Sequence, residues 1–150
     1  MIEAELEELV LVRTISASSK AIFRAWTEPK LMQQWLAPDP NVITSVINNP
    51  ERNGEIKIEI QSPDGTQHFI NGTYQVVTPY SYIAKYWQYS GPIDVIRDIE
   101  TLLEIRLTEI GASKTVLTLT QSRMKTKLAC DAYKADWPNC LDKLENIFLH

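Results

Sequence analysis

Histidine and cysteine are scarce in this chain: two of each among 150 residues, His68 and His150, Cys130 and Cys140. No spacing among them suits a structural or catalytic metal site, so no metal ligand is expected. The two cysteines fall in a segment of helical periodicity, about 15 Å apart along a straight helix. A disulfide needs Cα atoms within about 7 Å, which excludes an internal bridge unless the segment folds back on itself. Both therefore read as small apolar residues of a buried stripe. Long apolar runs are missing too. Leu9 to Val12 is among the longest, far short of the ~20 residues of a membrane span, and the acidic start Glu3, Glu5, Glu7, Glu8 is the opposite of a signal peptide's basic entry. Lys and Arg do not cluster with aromatics, and the formal net charge is -4. Nucleic acid and membrane surfaces are thus not expected as partners, and the cytoplasm is the expected compartment. The sequence also lacks a GxSxG elbow, a phosphate-binding glycine loop, an HExxH pair and a CxxC pair. No catalytic residue and no cofactor are assigned.

What is present begins with the last quarter. Cys130, Tyr133, Trp137, Cys140, Leu144 and Ile147 recur at three- and four-residue steps, one face of a helix over 127–149. Leu141 and Phe148 widen that stripe, while Asp131, Lys134, Asn139, Asp142, Lys143, Glu145 and Asn146 fall largely opposite. Pro138 lacks a donor and crowds the carbonyl of Lys134. Because the stripe stays in phase through it, a kinked single helix is expected, with Trp137 as its anchor.

The preceding chain reads as strands and turns. Residues 1–8 form an acidic leader, either one helical turn or frayed. Leu9 to Ile15 is rich in β-branched residues and opens a sheet. Ser16 and Ser18 offer N-caps to a short helix carrying Ala21, Ile22, Phe23, Ala25 and Trp26. Pro29 suits the first turn of a second short helix, with Leu31, Met32, Trp35 and Leu36 inward, which Pro38 and Pro40 end. Val42 to Ile47 is a candidate strand. Ile56, Ile58 and Ile60 alternate with Lys57, Glu59 and Gln61, and Ser62-Pro63-Asp64-Gly65 turns this strand into a partner over 67–77. Tyr82 to Tyr89 follows; residues 93–98 read as loop or strand. Leu103, Ile105 and Leu107 alternate before the Gly111-Ala112-Ser113 turn, and a last strand spans 115–122. The 44% hydrophobic fraction and the length suit one domain over 1–150. The expected class is α+β: a curved antiparallel sheet of about seven strands, two short helices after the first, and a long terminal helix across it.

Several motifs in order resemble a known family. Thr14-Ile15-Ser16-Ala17 with Ala21-Ile22-Phe23-Arg24-Ala25-Trp26-Thr27-Glu28-Pro29-Lys30-Leu31-Met32-Gln33-Gln34-Trp35 is similar to the start of Aha1-like domains, named for the activator of Hsp90 ATPase, within the START and Bet v 1-like superfamily. Pro63-Asp64-Gly65, Gly72-Thr73-Tyr74-Gln75-Val76-Val77-Thr78-Pro79 and Thr115-Val116-Leu117-Thr118-Leu119-Thr120 continue the match, as do Trp137 and Leu144. The resemblance covers nearly all of the chain after Val10 and implies a helix-grip fold. Two positions depart from the family pattern: Asn53-Gly54-Glu55-Ile56 where a paired glycine and an aromatic are usual, and Asp136 where glycine often precedes the tryptophan. Asp136 either alters the polarity of a cavity or points outward, the commoner fate of an isolated Asp.

The superfamily resemblance implies a pocket between the terminal helix and the sheet. Its expected lining is Trp35, Ile58, Tyr74, Tyr86, Ile105, Leu119, Trp137 and Leu141, although a one-residue slip of strand facing exchanges Tyr86 for Trp87. The same residues would alternatively fill a plain core. His68 reads as a surface or hydrogen-bonded structural residue in preference to a general base, and Arg52 as a solvated loop residue. The expected function is binding of a small, largely apolar molecule as carrier or sensor. The alternatives are a chaperone-associated module regulating an Hsp90-type ATPase, and an enzyme using the same cavity. The sequence assigns no oligomeric state.

Overall fold

The computed structural model describes residues 7–149; most of the acidic leader lies outside the described residues. Strand β1 (Leu9–Ile15) is followed by helices α1 (Ser19–Thr27) and α2 (Pro29–Met32), then β2 (Val42–Asn48), β3 (Glu55–Gln61), β4 (Gln67–Thr78), β5 (Tyr82–Ser90), β6 (Glu100–Gly111), β7 (Lys114–Ser122) and helix α3 (Lys127–Ile147). The strands form one antiparallel sheet in the order β1-β7-β6-β5-β4-β3-β2. This is the helix-grip layout: strands two to seven meander, and the first strand returns to the edge beside the last.

Local chemistry sets each boundary. The Ser18 hydroxyl accepts from Ala21 N at 3.1 Å and caps α1. Pro29 opens α2, where its missing donor leaves nothing unpaired. In the β3–β4 turn Gly65 takes φ +91°, a left-handed conformation that a Cβ would strain, and its N–H donates to Ser62 O at 2.9 Å. Gly72 has a different task. A Cβ there would lie 1.8 Å from the carbonyl oxygen of Tyr86, so only glycine lets β4 approach β5 at this point. Residues 93–98, open in sequence terms, form a loop held to β5 by Asp98 N donating to Tyr89 O at 2.9 Å.

Helix α3 runs unbroken through Pro138, capped by Thr126, whose hydroxyl accepts from Ala129 N at 3.1 Å. Its stripe of Cys130, Tyr133, Trp137, Cys140, Leu141 and Leu144 is buried against the concave face, and both cysteines are free thiols. Charges fasten its rim. Arg13 of β1 reaches Asp142 at 2.8 Å and Glu145 at 2.5 Å. Lys143 bonds Ala37 O and pairs with Asp39 at 3.0 Å, tying the helix to the chain between α2 and β2.

The interior is organised by four indoles. Trp26 and Trp35 meet edge to face with centroids 4.5 Å apart, Trp137 lies 6.1 Å from Trp26, and Trp87 lies 5.8 Å from Trp137. These rings bring α1, the turn after α2, α3 and β5 together, and offset or edge contacts at such distances suit the aromatic quadrupole. A buried polar chain supports them: Trp137 Nε1 donates to Gln121 Oε1 at 2.8 Å, Gln121 Nε2 to Thr101 Oγ1 at 3.0 Å, and Thr101 Oγ1 to Trp87 O at 2.6 Å.

Candidate functional site

A cavity of about 80 Å³ lies between α3 and the sheet. Strands β3, β4 and β5 give it a floor of Ile60, His68, Ile70, Trp87 and Tyr89; α3 gives it a roof of Tyr133, Asp136, Trp137 and Cys140. Leu36, Pro38 and Asn41 close one side, Ile93 and Ile96 of the β5–β6 loop another. Ile96 is 4% exposed and Ile93 39%, so the mouth opens at the loop.

The walls are mainly apolar, with polar groups at definite places. His68 is buried with both ring nitrogens engaged: Nε2 lies 2.8 Å from Ser62 Oγ and Nδ1 lies 2.6 Å from the Tyr89 hydroxyl, which also accepts from Ile93 N at 3.2 Å. This chain pins the loop's first residues to β4 and β5. Burial pushes the Tyr89 phenol and the Asp136 carboxyl above their ordinary ranges, and the Cys140 thiol up to about 12. Cys140 is thus a protonated, weakly nucleophilic lining group at neutral pH. Tyr133 lies close to Gln121 without reaching it in hydrogen-bond geometry, and burial raises its phenol as well.

Beside Trp87 lies a fully buried lysine, Lys85. Lys85 Nζ sits 5.3 Å from the ring centroid of Trp87 and 5.4 Å from those of Trp26 and Tyr74, with no hydrogen-bond partner among the described residues. Burial pulls its pKa down to about 7. The aromatic faces offset part of the cost of desolvating the charge through cation–π attraction.

With this geometry in place, the comparisons are decisive for kinship. The family model described as activator of Hsp90 ATPase homolog 1-like protein matches residues 16–148. The chain belongs to this family. Solved structures similar to this Aha1-like chain include a Nitrosomonas europaea protein (24% identity, TM-score 0.78, covering 95% of this chain and 94% of that one). A Chromobacterium violaceum protein has 21% identity and a TM-score of 0.80 over 93% and 96% of the two chains. The AHSA1 protein of Silicibacter pomeroyi has 18% identity and a TM-score of 0.81 over 93% and 95%. At these identities the likeness speaks for the fold. No curated protein matches the chain, and no helix among the described residues is long and apolar enough to cross a membrane.

Of the eight residues expected to line a pocket in this Aha1-like domain, Trp137 lines the cavity. Trp35, Ile58, Tyr74, Ile105, Leu119 and Leu141 are buried to within 1% and pack into the core. Trp35 Nε1 donates to Ala25 O at 3.0 Å, and the Tyr74 hydroxyl to Asn48 Oδ1 at 2.8 Å, so both polar tips are occupied by the protein itself. Tyr86 requires a correction: it is half-buried, with Arg123 5.8 Å from its ring, while Trp87 takes the inward position. In β5 the buried alternation runs Ile83, Lys85, Trp87, Tyr89. Of the two alternatives left open for Asp136, the structure takes the cavity. It lines the cavity, half-buried beside Trp137 on α3. Sequence reasoning missed Lys85 altogether. The available signal was parity: once Trp87 and Tyr89 face inward, Lys85 must.

Proposed function

We propose that this domain binds a small, largely apolar molecule in the cavity between α3 and strands β3 to β5, as a carrier or sensor. The observation that supports this most directly is the cavity itself: apolar walls, a few fixed polar groups and a mouth at the β5–β6 loop. Such enclosure is the general form of a small-molecule site. An apolar cavity of about 150 Å³ holds a benzene ring, so 80 Å³ suits a short chain or a ring that displaces Ile93 and Ile96 slightly. Binding needs no catalytic group. His68 is committed on both nitrogens to Ser62 and Tyr89, which makes it a positioning element of the floor.

A thermal-shift screen of small apolar metabolites, read also by the fluorescence of Trp87 and Trp137, tests this reading. A ligand present at about one hundred times its dissociation constant adds about 2.7 kcal/mol to stability. The same compound is expected to lose its effect in Cys140→Met, where the longer side chain occupies part of the space. If no compound shifts the wild type, the pocket reading falls. Regulation of a chaperone ATPase, which the family description suggests, would then be tested by adding the domain to that ATPase. Turnover of a bound compound would move the domain to the enzyme class.

A further inference from the structure

The carboxylates of helix α3 are Asp131, Asp136, Asp142 and Glu145. Three of them meet a basic side chain: Asp131 pairs with Lys127 at 2.8 Å, and Asp142 and Glu145 pair with Arg13 at 2.8 and 2.5 Å. Asp136 is the exception. No cationic side chain among the described residues offsets its charge, and burial alone raises its pKa. It is also the member of this set that lines the cavity, and the lining contains no lysine or arginine. The other polar lining groups are neutral or taken: His68 and Tyr89 bond each other, the Cys140 thiol keeps its proton, and Asn41 carries no charge. The cavity thus holds one unpaired carboxylate among walls that include Trp87, Tyr89, Tyr133 and Trp137.

We propose that the molecule bound in the cavity is a small apolar amine, its ammonium donating to the Asp136 carboxylate and its apolar body lying against Ile60, Ile70 and the aromatic side chains. This rests on the ligand-binding reading and names its ligand class. A carboxylate is acceptor-only and an ammonium donor-only, so the two answer each other without leaving a mismatched group. The ammonium also gives Asp136 the countercharge that Lys127 and Arg13 give the other three carboxylates of the helix. Aromatic walls favour the same sign, because a ring face attracts a cation.

The placement of Asp136 suits such a ligand energetically. Being half-buried, it lets the ammonium keep part of its hydration while the apolar body enters the cavity, which avoids the desolvation penalty of a fully buried ion pair. A bound alcohol donates one hydrogen bond and leaves the carboxylate's charge unbalanced. A bound carboxylate meets Asp136 as a like charge, which disfavours the ionised form of both.

Calorimetric titration tests the assignment with butylamine and benzylamine against butanol and benzyl alcohol, which match them in size. At about pH 8 the amines remain charged, since an alkylammonium has a pKa of about 10.4. The wild type is expected to bind the amines about ten- to one-hundred-fold more tightly than the alcohols, with the two classes competing for one site. Asp136→Asn removes the charge at nearly constant volume, and is expected to erase that preference while keeping affinity for the alcohols. Asp131→Asn, on the same helix but outside the cavity lining, is expected to retain it. A wild type that binds amines no more tightly than alcohols, or a preference that survives Asp136→Asn, would overturn the amine assignment and leave the ligand-binding reading standing. If neither amines nor alcohols bind, the amine assignment fails, and the ligand-binding reading fails with it when the wider screen of apolar compounds is also silent. The ratio of amine to alcohol affinity is read on the wild type, so the test does not depend on how a variant folds.

Discussion

Two parts of the space under α3 are built from the same kinds of residue and end differently. Around Trp26, Trp35, Tyr74 and Leu141 every side chain is at most 1% exposed, and the rings of α1 and of the turn after α2 plug the gap between helix and sheet. Nearer the β5–β6 loop, Ile60, Ile70, Trp87 and Trp137 leave about 80 Å³ open. The segments that close this second part contribute Leu36, Pro38, Asn41, Ile93 and Ile96. Different connecting segments sit over the sheet in the two parts. Lys85 belongs to the filled part and Trp87 to both, so the one buried lysine lacking a hydrogen-bond partner among the described residues stands at their boundary.

The largest effect should come from unplugging the filled part. Trp35→Ala removes a fully buried indole and its bond to Ala25, with an expected loss of about 3–5 kcal/mol, measured as the shift of the urea midpoint at constant m-value. A midpoint that stays put would show that the plug contributes no more than the open part does. Next is Lys85→Met, which keeps the volume and removes the buried charge. The folded pKa of about 7 lies below the ordinary 10.5, so the unfolded chain binds more protons between those values. The burial cost is therefore complete below pH 7 and is relieved as pH rises towards 10.5. Wild-type stability should climb from about pH 7 to 9, beyond which ionisation of thiols in the unfolded chain opposes it. Lys85→Met should gain on the order of 3–5 kcal/mol at about pH 6 and less at about pH 9. Equal gains at both pH values, by chemical denaturation, would mean that Lys85 is not held as described. The smallest effect contrasts the two parts directly. Enlarging a side chain in the filled part, Leu119→Phe, should cost about 1–3 kcal/mol, whereas Cys140→Met beside the cavity should gain about 0.5–1 kcal/mol. Calorimetric melting of both variants checks the opposite signs.

Much of this was legible before folding. The stripe from Cys130 to Leu144 declared helix α3, because a helix packed on one side repeats its apolar residues with its own turn. Ile56, Ile58 and Ile60 declared β3 for the corresponding reason in a strand. The Ser62–Gly65 turn and the Ser18 cap are local hydrogen-bond chemistry that four residues specify. The lining was less legible. Tyr86 and Trp87 are adjacent aromatics in a strand where either parity gives a plausible buried set, and only the packing of the folded sheet turns Trp87 inward. Lys85 was hidden by its own chemistry, since a lysine in a strand is expected to mark the wet face.

By itself, then, the sequence determined the elements, their order and the apolar faces that must meet, since each depends on neighbours within a few positions. Tertiary structure alone decided that Trp35, Ile58, Tyr74, Ile105, Leu119 and Leu141 close on one another while Trp137 borders a space. It also decided that Asp136 faces that space and that Lys85 lies among three aromatic rings. Filling is a property of many side chains from distant segments converging at once, and a cavity is whatever volume their fixed lengths and rotamers fail to reach.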